Sequence, residues 1–440
     1  MNFPLTRRPL NASLAALFGA SLVAGCGEEP KPAPPPPPPS IEIKIGHVAP
    51  LTGGIAHLGK DNENGARLAL EEANAANIKI DGKDAKFVML AEDDQADPKI
   101  GTTIAQKLID AKVAGVVGHL NSGVSIPASS VYSAANIPMI SGSATNPQLT
   151  EQGLKGVFRV MGRDDQQGPA LASYLAANNK PKLVAVIDDA TAYGEGLANE
   201  VEKFFKGANV RVLPREKGDD KRADWKAVLT KVKGRNPDVV FYGGMDATAG
   251  PLLKQARELN IKAVFSFGDG GCTDKMIELA GAGAEGMLCS QAGLPPAAAS
   301  KKFLDAYKAR FKVDPILYSP FTYDAMQALI AAIKSANSAD PAKYLPALQK
   351  VEFVGATGKI AFDEKGDRKD AEMSIFQVKE GKLEPIAIIK NGQTVSFADF
   401  MAQANPAPAP AAAAPAEAPK AAEPAKDAPK AAAAPDGAKK

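Results

Sequence analysis

The 440-residue chain has few of the residues on which catalysis and metal binding most often depend. Its three histidines are His47, His57 and His119, and neither Cys272 nor Cys289 has a histidine near it in the sequence. Neither a metal site nor a cofactor is expected from such a set. The G-x-S-x-G elbow of α/β-hydrolases is missing. Nothing in the sequence sets an orienting carboxylate beside His119 near Ser122, so a turn or packing role is expected for His119, and an enzyme is not. Charge of one sign is missing too: 52 basic and 50 acidic residues leave a formal net charge of +2. That balance gives no reason to expect nucleic acid or an acidic surface as partner.

Long apolar runs are also missing. The segment Leu14-Ala15-Ala16-Leu17-Phe18, continuing to Leu22-Val23-Ala24-Gly25-Cys26, is too short and too rich in glycine and alanine for a good spanning helix. Behind Arg7 and Arg8 it reads as an export signal over residues 1–25. Val23-Ala24-Gly25-Cys26 resembles the bacterial lipobox, which implies that Cys26 is acylated and begins the mature chain. A plain secretory peptide with an incidental cysteine is the alternative. Residues 26–40 form a proline-rich linker, a semi-rigid stalk because proline favours extended polyproline II. Residues 401–440 consist almost wholly of Ala, Pro, Lys, Asp and Glu beyond Asn405 and are expected to be a disordered tail. With Cys26 lipidated, Cys272 and Cys289 remain as an even pair in an oxidising compartment, either a disulfide across a short loop or two buried thiols.

Between these ends, strand and helix patterns alternate. Ile41, Ile43 and Ile45 alternate as in a strand, and Asp61 to Asn74 carries Ala66, Leu70 and Ala73 on one helical face. Asp97-Pro98 is a helix start, with a capping acid and proline at the first position. Residues 87–90, 113–117, 137–140, 183–187, 239–242 and 264–267 are short apolar strands. This alternation predicts an α/β fold with parallel sheets and helices on both faces.

Ligands of open parallel sheets bind beyond the carboxyl ends of the strands. Those ends carry Gly118-His119-Leu120-Asn121-Ser122-Gly123, Ser141-Gly142-Ser143-Ala144-Thr145, Asp188-Asp189 ahead of Tyr193-Gly194-Glu195-Gly196, Gly243-Gly244-Met245-Asp246, and Gly268-Asp269-Gly270-Gly271. Hydroxyls and free backbone amides at a helix start suit an anion, and the acids suit a cation. Taken singly, such residues read as helix caps and turns. Their recurrence at successive strand ends points to a zwitterion site. Two apparent nucleotide motifs are rejected. Gly54 to Lys60 matches most of a P-loop, but Asp61 stands where the Mg²⁺-binding hydroxyl should be; Gly281 to Gly286 has dinucleotide spacing but follows a helix.

From about Ile41 to Phe397 the chain resembles the type I periplasmic binding proteins, and among them the leucine/isoleucine/valine-binding proteins of branched-chain amino-acid ABC transporters. The resemblance rests on the Gly46-to-Gly54 loop, Asp93-Asp94 with Asp97-Pro98, Gly118-His119-Leu120, Asp165-Gln166-Gln167-Gly168-Pro169, Tyr193-Gly194-Glu195-Gly196-Leu197-Ala198, Tyr242-Gly243-Gly244 and Phe362-Asp363-Glu364-Lys365-Gly366-Asp367. It implies two Rossmann-like lobes joined by three crossovers near residues 162, 291 and 372. Lobe 1 would then comprise residues 41–162 and 292–372, and lobe 2 residues 163–291 and 373–400. By the same resemblance Ser122 and Thr145 hold a ligand α-carboxylate, with a backbone contact at Ser143 beside Ala144. Tyr193 lines the site and Asp269 takes the α-ammonium. Leu58 and Met245 replace aromatic wall residues of the family, and Tyr318 keeps one. The implied partners are an amino-acid ligand, ABC permease subunits and a membrane reached through the lipid anchor alone, for a monomer in the periplasm or cell envelope. Alternatives are another small solute (an aromatic amino acid, GABA, an amide or urea), the ligand-sensing subunit of a signalling system, and a structural lipoprotein whose tail touches the cell wall.

Overall fold

The computed structural model describes residues 39–404. The export signal, Cys26, most of the proline-rich linker and the tail from residue 405 lie outside the described residues.

The chain first builds a six-stranded sheet from β1 (Ser40–Ala49), β2 (Lys79–Ile80), β3 (Lys83–Asp93), β4 (Gly115–Gly118), β5 (Met139–Ser141) and β6 (Val157–Arg159), in the order β2-β3-β1-β4-β5-β6. All neighbours are parallel except the β2–β3 hairpin. β1 lies inside this sheet, and the run from Ile45 to Ala49 is fully buried. That explains why its alternating pattern fades along its length, since a strand covered on both faces has no polar side. The second sheet takes β7 (Leu183–Asp188), β8 (Arg211–Val212), β9 (Glu216–Lys217), β10 (Val239–Gly243), β11 (Val264–Phe267) and β12 (Leu288–Gln291). After the hairpin β13 (Glu352–Gly355) and β14 (Gly358–Ala361), the chain adds β15 (Met373–Lys379), β16 (Lys382–Lys390) and β17 (Gln393–Ser396). β15 pairs antiparallel with β12, and β16 and β17 extend that edge antiparallel, so the second sheet is mixed and not wholly parallel as the sequence pattern predicts. The hairpin links at Glu380-Gly381 and Asn391-Gly392 carry positive φ, the backbone state that tight antiparallel connections require.

Helices correspond to the predicted periodic segments with shifted bounds. Asp97 caps the helix Pro98–Asp110, accepting from the amides of Lys99 and Ile100. The helix predicted from Asp61 begins at Ala56, and the last helix, Phe397–Ala404, runs past the expected tail boundary at residue 400. Helix Ala56–Ala75 packs along helix Ser319–Ser335, so a segment far along the chain completes the layer over the first sheet.

The chain leaves the first sheet after β6, returns over that sheet after β12, and rejoins the second at β15. These passages lie side by side: the Gly162 amide donates to the Ala292 carbonyl at 2.9 Å. A side chain at Gly162 would meet Met373 Cε at 2.2 Å and would have to push the flexible end of Met373 aside. Beside them a buried ion cluster joins Arg159, Arg163 and Thr150 to Asp367, with Arg159 Nε 2.6 Å and Arg163 Nη1 2.7 Å from its carboxylate. Although burial opposes the charge of Asp367, the two guanidiniums hold its carboxyl below the usual range. Cys272 and Cys289 are disulfide-bonded, their Cα atoms 5.5 Å apart, linking the loop after β11 to β12.

Candidate functional site

The loops at the carboxyl ends of the two sheets face one another. On the first sheet, β4 leads into helix Ser122–Ala134, whose N-terminus has no side-chain cap. Ser122 is buried, and its oxygen accepts from the Asn146 amide at 3.3 Å, leaving its hydroxyl proton uncommitted. After β5, the amides of Ser143 and Ala144 turn back onto Ser141 Oγ at 3.3 and 2.9 Å, so both already have an acceptor. Thr145 Oγ1 is buried within reach of the Asp164 carboxylate, without a well-aligned hydrogen bond among the described residues. Unfilled donor capacity in the loops of the first sheet therefore resides in Ser122, Thr145 and the uncapped helix start.

On the second sheet, Asp269 follows β11 and is 1% exposed. It accepts from Tyr193 Oη at 2.8 Å, Tyr318 Oη at 2.7 Å and Gln167 Nε2 at 3.1 Å. All three donors are neutral, and Asp269 makes no ion pair among the described residues. Burial pushes its carboxyl above the usual range, and the two tyrosines and Gln167 oppose that shift. Asp164 lies close by at the start of helix Asp164–Asn179, its amide donating to the Thr145 carbonyl at 2.9 Å. Both its carboxylate oxygens are buried, with Thr145 Oγ1 within reach but no well-aligned hydrogen bond among the described residues. Burial, then the charge of Asp269, raises its carboxyl well above the ordinary range. Tyr193 and Tyr318 are raised as well, by burial and then by Asp269. Buried acid without a cation is costly unless a cation arrives or a proton is kept.

The Asp269 cluster draws on both sides of the cleft. Tyr193 comes from the helix after β7, whereas Tyr318 stands at the start of the helix that covers the first sheet. Tyr318 is thus a hydrogen-bond donor and not only the aromatic wall expected of it. Asp61 fixes its position, accepting the backbone amides of Ile316, Leu317, Tyr318 and Ser319 at 2.7–3.0 Å. This is the physical use of the acid that spoils the P-loop match. Met245 lies against Gly270, where a side chain would meet its Sδ at 2.6 Å. Leu58 is fully buried and packs in the same apolar cluster as Tyr193 and Tyr318. Between the lobes a cavity of about 560 Å³ is lined by Gly54, Ile55, Asn121, Tyr193, Met245 and Ala247, among others. Of the expected site residues only Tyr193 and Met245 reach its wall, the rest being sealed beneath. Asp189 also lines it, one oxygen capping Thr191 and the other unpartnered, with burial pushing its carboxyl up to about 6.

His119 corrects one expectation. A carboxylate does stand beside it: Asp94 Oδ2 is 2.8 Å from Nδ1. The other ring nitrogen is taken by Tyr132 Oη at 3.2 Å, and all three residues are fully buried. Ser122 bonds elsewhere, so no nucleophile is activated and His119 is a packing residue. Sequence reasoning did not single out Asp164, Gln167, Asp61 or the His57–Asp246 pair, whose atoms lie 2.7 Å apart. The signal for the first two was available, an acid and an amide one turn apart at a helix start just past the first crossover.

The profile of the periplasmic binding protein family matches residues 42–382. The chain is 37% identical over 346 residues to Leu/Ile/Val-binding protein homolog 1 of Brucella suis, covering 77% of this chain and 91% of that one. It is 33% identical over 368 residues to the leucine-, isoleucine-, valine-, threonine-, and alanine-binding protein of Pseudomonas aeruginosa, covering 83% and 95%. The branched-chain amino acid transporter substrate-binding protein of Streptococcus pneumoniae, solved in complex with isoleucine, superposes with a TM-score of 0.72 at 27% identity, covering 80% of this chain and all of that one. Among the described residues no helix is long and apolar enough to cross a membrane. Mixed α/β sheets that face each other across a polar cleft, a family profile spanning most of the chain and relatives matched nearly end to end lead to one assignment: the chain belongs to the type I periplasmic binding proteins, in the Leu/Ile/Val-binding group.

Proposed function

We infer that this protein is the lipid-anchored receptor of an ABC importer, taking a branched-chain or related aliphatic amino acid into the cleft and delivering it to the permease. The observation that carries this reading is Asp269, a buried carboxylate held by three neutral donors and lacking a cation. A ligand ammonium supplies that cation. Ser122 and Thr145, with unfilled donor capacity on the other sheet, receive the α-carboxylate. Met245 offers an apolar, adaptable wall to an aliphatic side chain, with Leu58 in the apolar cluster behind it. The relatives named above, whose names specify leucine, isoleucine and valine, support the same ligand class. Two lobes, residues 41–162 with 292–372 and 163–291 with 373–400, close on the ligand as a hinge, and the proline-rich linker holds this body away from a membrane anchored through Cys26.

The test is a thermal-shift screen followed by calorimetry on leucine, isoleucine, valine, alanine and threonine, with phenylalanine, glutamate, GABA and urea for comparison. A ligand bound only to the folded state raises its melting temperature. Aliphatic α-amino acids should give the largest shifts. A response confined to solutes that are not α-amino acids would remove the reading.

A further inference from the structure

Beside the cavity, and outside its lining, His57 and Asp246 join the two sides of the cleft. His57 is the second residue of helix Ala56–Ala75 over the first sheet, and Asp246 opens helix Asp246–Glu258 on the second. The contact is His57 Nε2 to Asp246 Oδ2 at 2.7 Å. Among the described residues it is the one contact between a basic and an acidic side chain that spans the cleft away from the crossovers. Asp246 is fully buried, and its own lobe offers it one side-chain donor, Thr273 Oγ1, also to Oδ2 at 2.7 Å. Its Oδ1 has no partner among the described residues. Next to it the two lobes touch again: a side chain at Gly54 would stand 3.2 Å from Ala247 Cβ.

A carboxylate buried by closure must find a donor there, since it gives up its water. When the lobes part, Asp246 regains water and His57 has no reason to hold it. The pair therefore has different free energy in the two states, which is the condition for biasing an equilibrium between them. We propose that His57 and Asp246 form a latch that sets how long the cleft stays shut, positioning the lobes without touching the ligand. The idea rests on the reading of the cleft as one that closes on a small amino acid. Acting between the lobes and not on the ligand, the latch adds the same factor to every ligand. It slows release without selecting what is held.

The experiment compares wild type, His57→Gln, Asp246→Asn and the double variant. Calorimetry and stopped-flow kinetics on leucine, valine and alanine give affinities and dissociation rates. Single-pair fluorescence transfer between dyes on the two lobes gives the closed fraction, with and without ligand. Each single substitution should weaken all three ligands by the same factor, roughly 5- to 20-fold, chiefly through faster dissociation. The double variant should be no weaker than the weaker single one, because both remove one contact. The closed fraction of the unliganded chain should fall in His57→Gln while its melting temperature holds. Wild-type affinity and an unchanged closed fraction in His57→Gln would overturn the latch, whatever Asp246→Asn does to folding. So would losses that differ strongly between ligands, which would make the pair a ligand contact. If wild type binds none of the three, the ligand class is wrong, and the closed fraction of unliganded His57→Gln still decides the latch.

Discussion

Replacing Asp269 by asparagine keeps the shape of the side chain and removes its charge. In the structure this carboxylate is buried, accepts from Tyr193, Tyr318 and Gln167, and has no ion pair among the described residues. With ligand in place, the ammonium becomes its counter-charge in a site closed to water. A charge-assisted hydrogen bond contributes roughly 1.5–3 kcal/mol, and a buried ammonium left without its partner costs more than the bond itself. Asp269→Asn should therefore weaken leucine binding by at least ~100-fold, or nearly 3 kcal/mol. The unliganded variant should melt no lower than wild type, because the burial that raises the Asp269 carboxyl is a cost removed with the charge. A second ligand makes the test specific. The α-hydroxy analogue of leucine lacks the ammonium, so wild type should bind it poorly and Asp269→Asn should discriminate far less between the two. Titration calorimetry with both ligands on both proteins completes the cycle. If the variant binds leucine within about fivefold of wild type, roughly 1 kcal/mol, or favours leucine over the hydroxy analogue as strongly as wild type does, the ammonium is not at Asp269.

Three further outcomes follow. His47 is fully buried and its imidazole is lowered from 6.5 to about 4, chiefly by burial; the unfolded chain thus binds a proton that the folded one refuses, and the contribution of His47 to stability is lost as pH falls from about 7 to 4, by about 3 kcal/mol. Asp189 and Asp324, raised to about 6 by burial, oppose this slope, since their stabilising protons are lost as pH rises; His47→Leu should hence gain on wild type by that amount in melting curves at pH 4 against pH 7, and parallel profiles would refute it. Breaking the Cys272–Cys289 bond, which spans 17 residues, should cost roughly 3 kcal/mol in the chain-entropy account, seen as a lower melting temperature after reduction or in the Cys272→Ala, Cys289→Ala pair, with leucine affinity retained. Cys26→Ser should release the protein from the membrane fraction or leave its signal uncleaved, because stable attachment needs more than one acyl chain; normal processing and unchanged fractionation would refute the anchor.

Some of this protein can be read from the order of its residues alone. The α/β class follows from apolar runs such as Val239 to Tyr242 alternating with helical periods, because burial of one face is a pattern of near neighbours. Asp269 could be singled out because glycines flank it just past a strand, and a loop there faces the cleft of any parallel sheet. The same local logic misplaced the start of helix Ala56–Ala75: its first turn ends on Gly59, and Ile55 supplies no side-chain cap, so its signals lie in packing against the rest of the lobe. The antiparallel edge β15–β17 was not legible either, because strand direction depends on where the crossover returns the chain. What tertiary structure alone decided is which polar groups meet. Asp61 holds the loop that presents Tyr318, 257 residues away; Asp94 orients His119; and Asp246 reaches His57 across 189 residues. A buried carboxylate takes whichever donors the fold brings within about 3 Å, and donors that distant in the chain leave no trace in its local pattern.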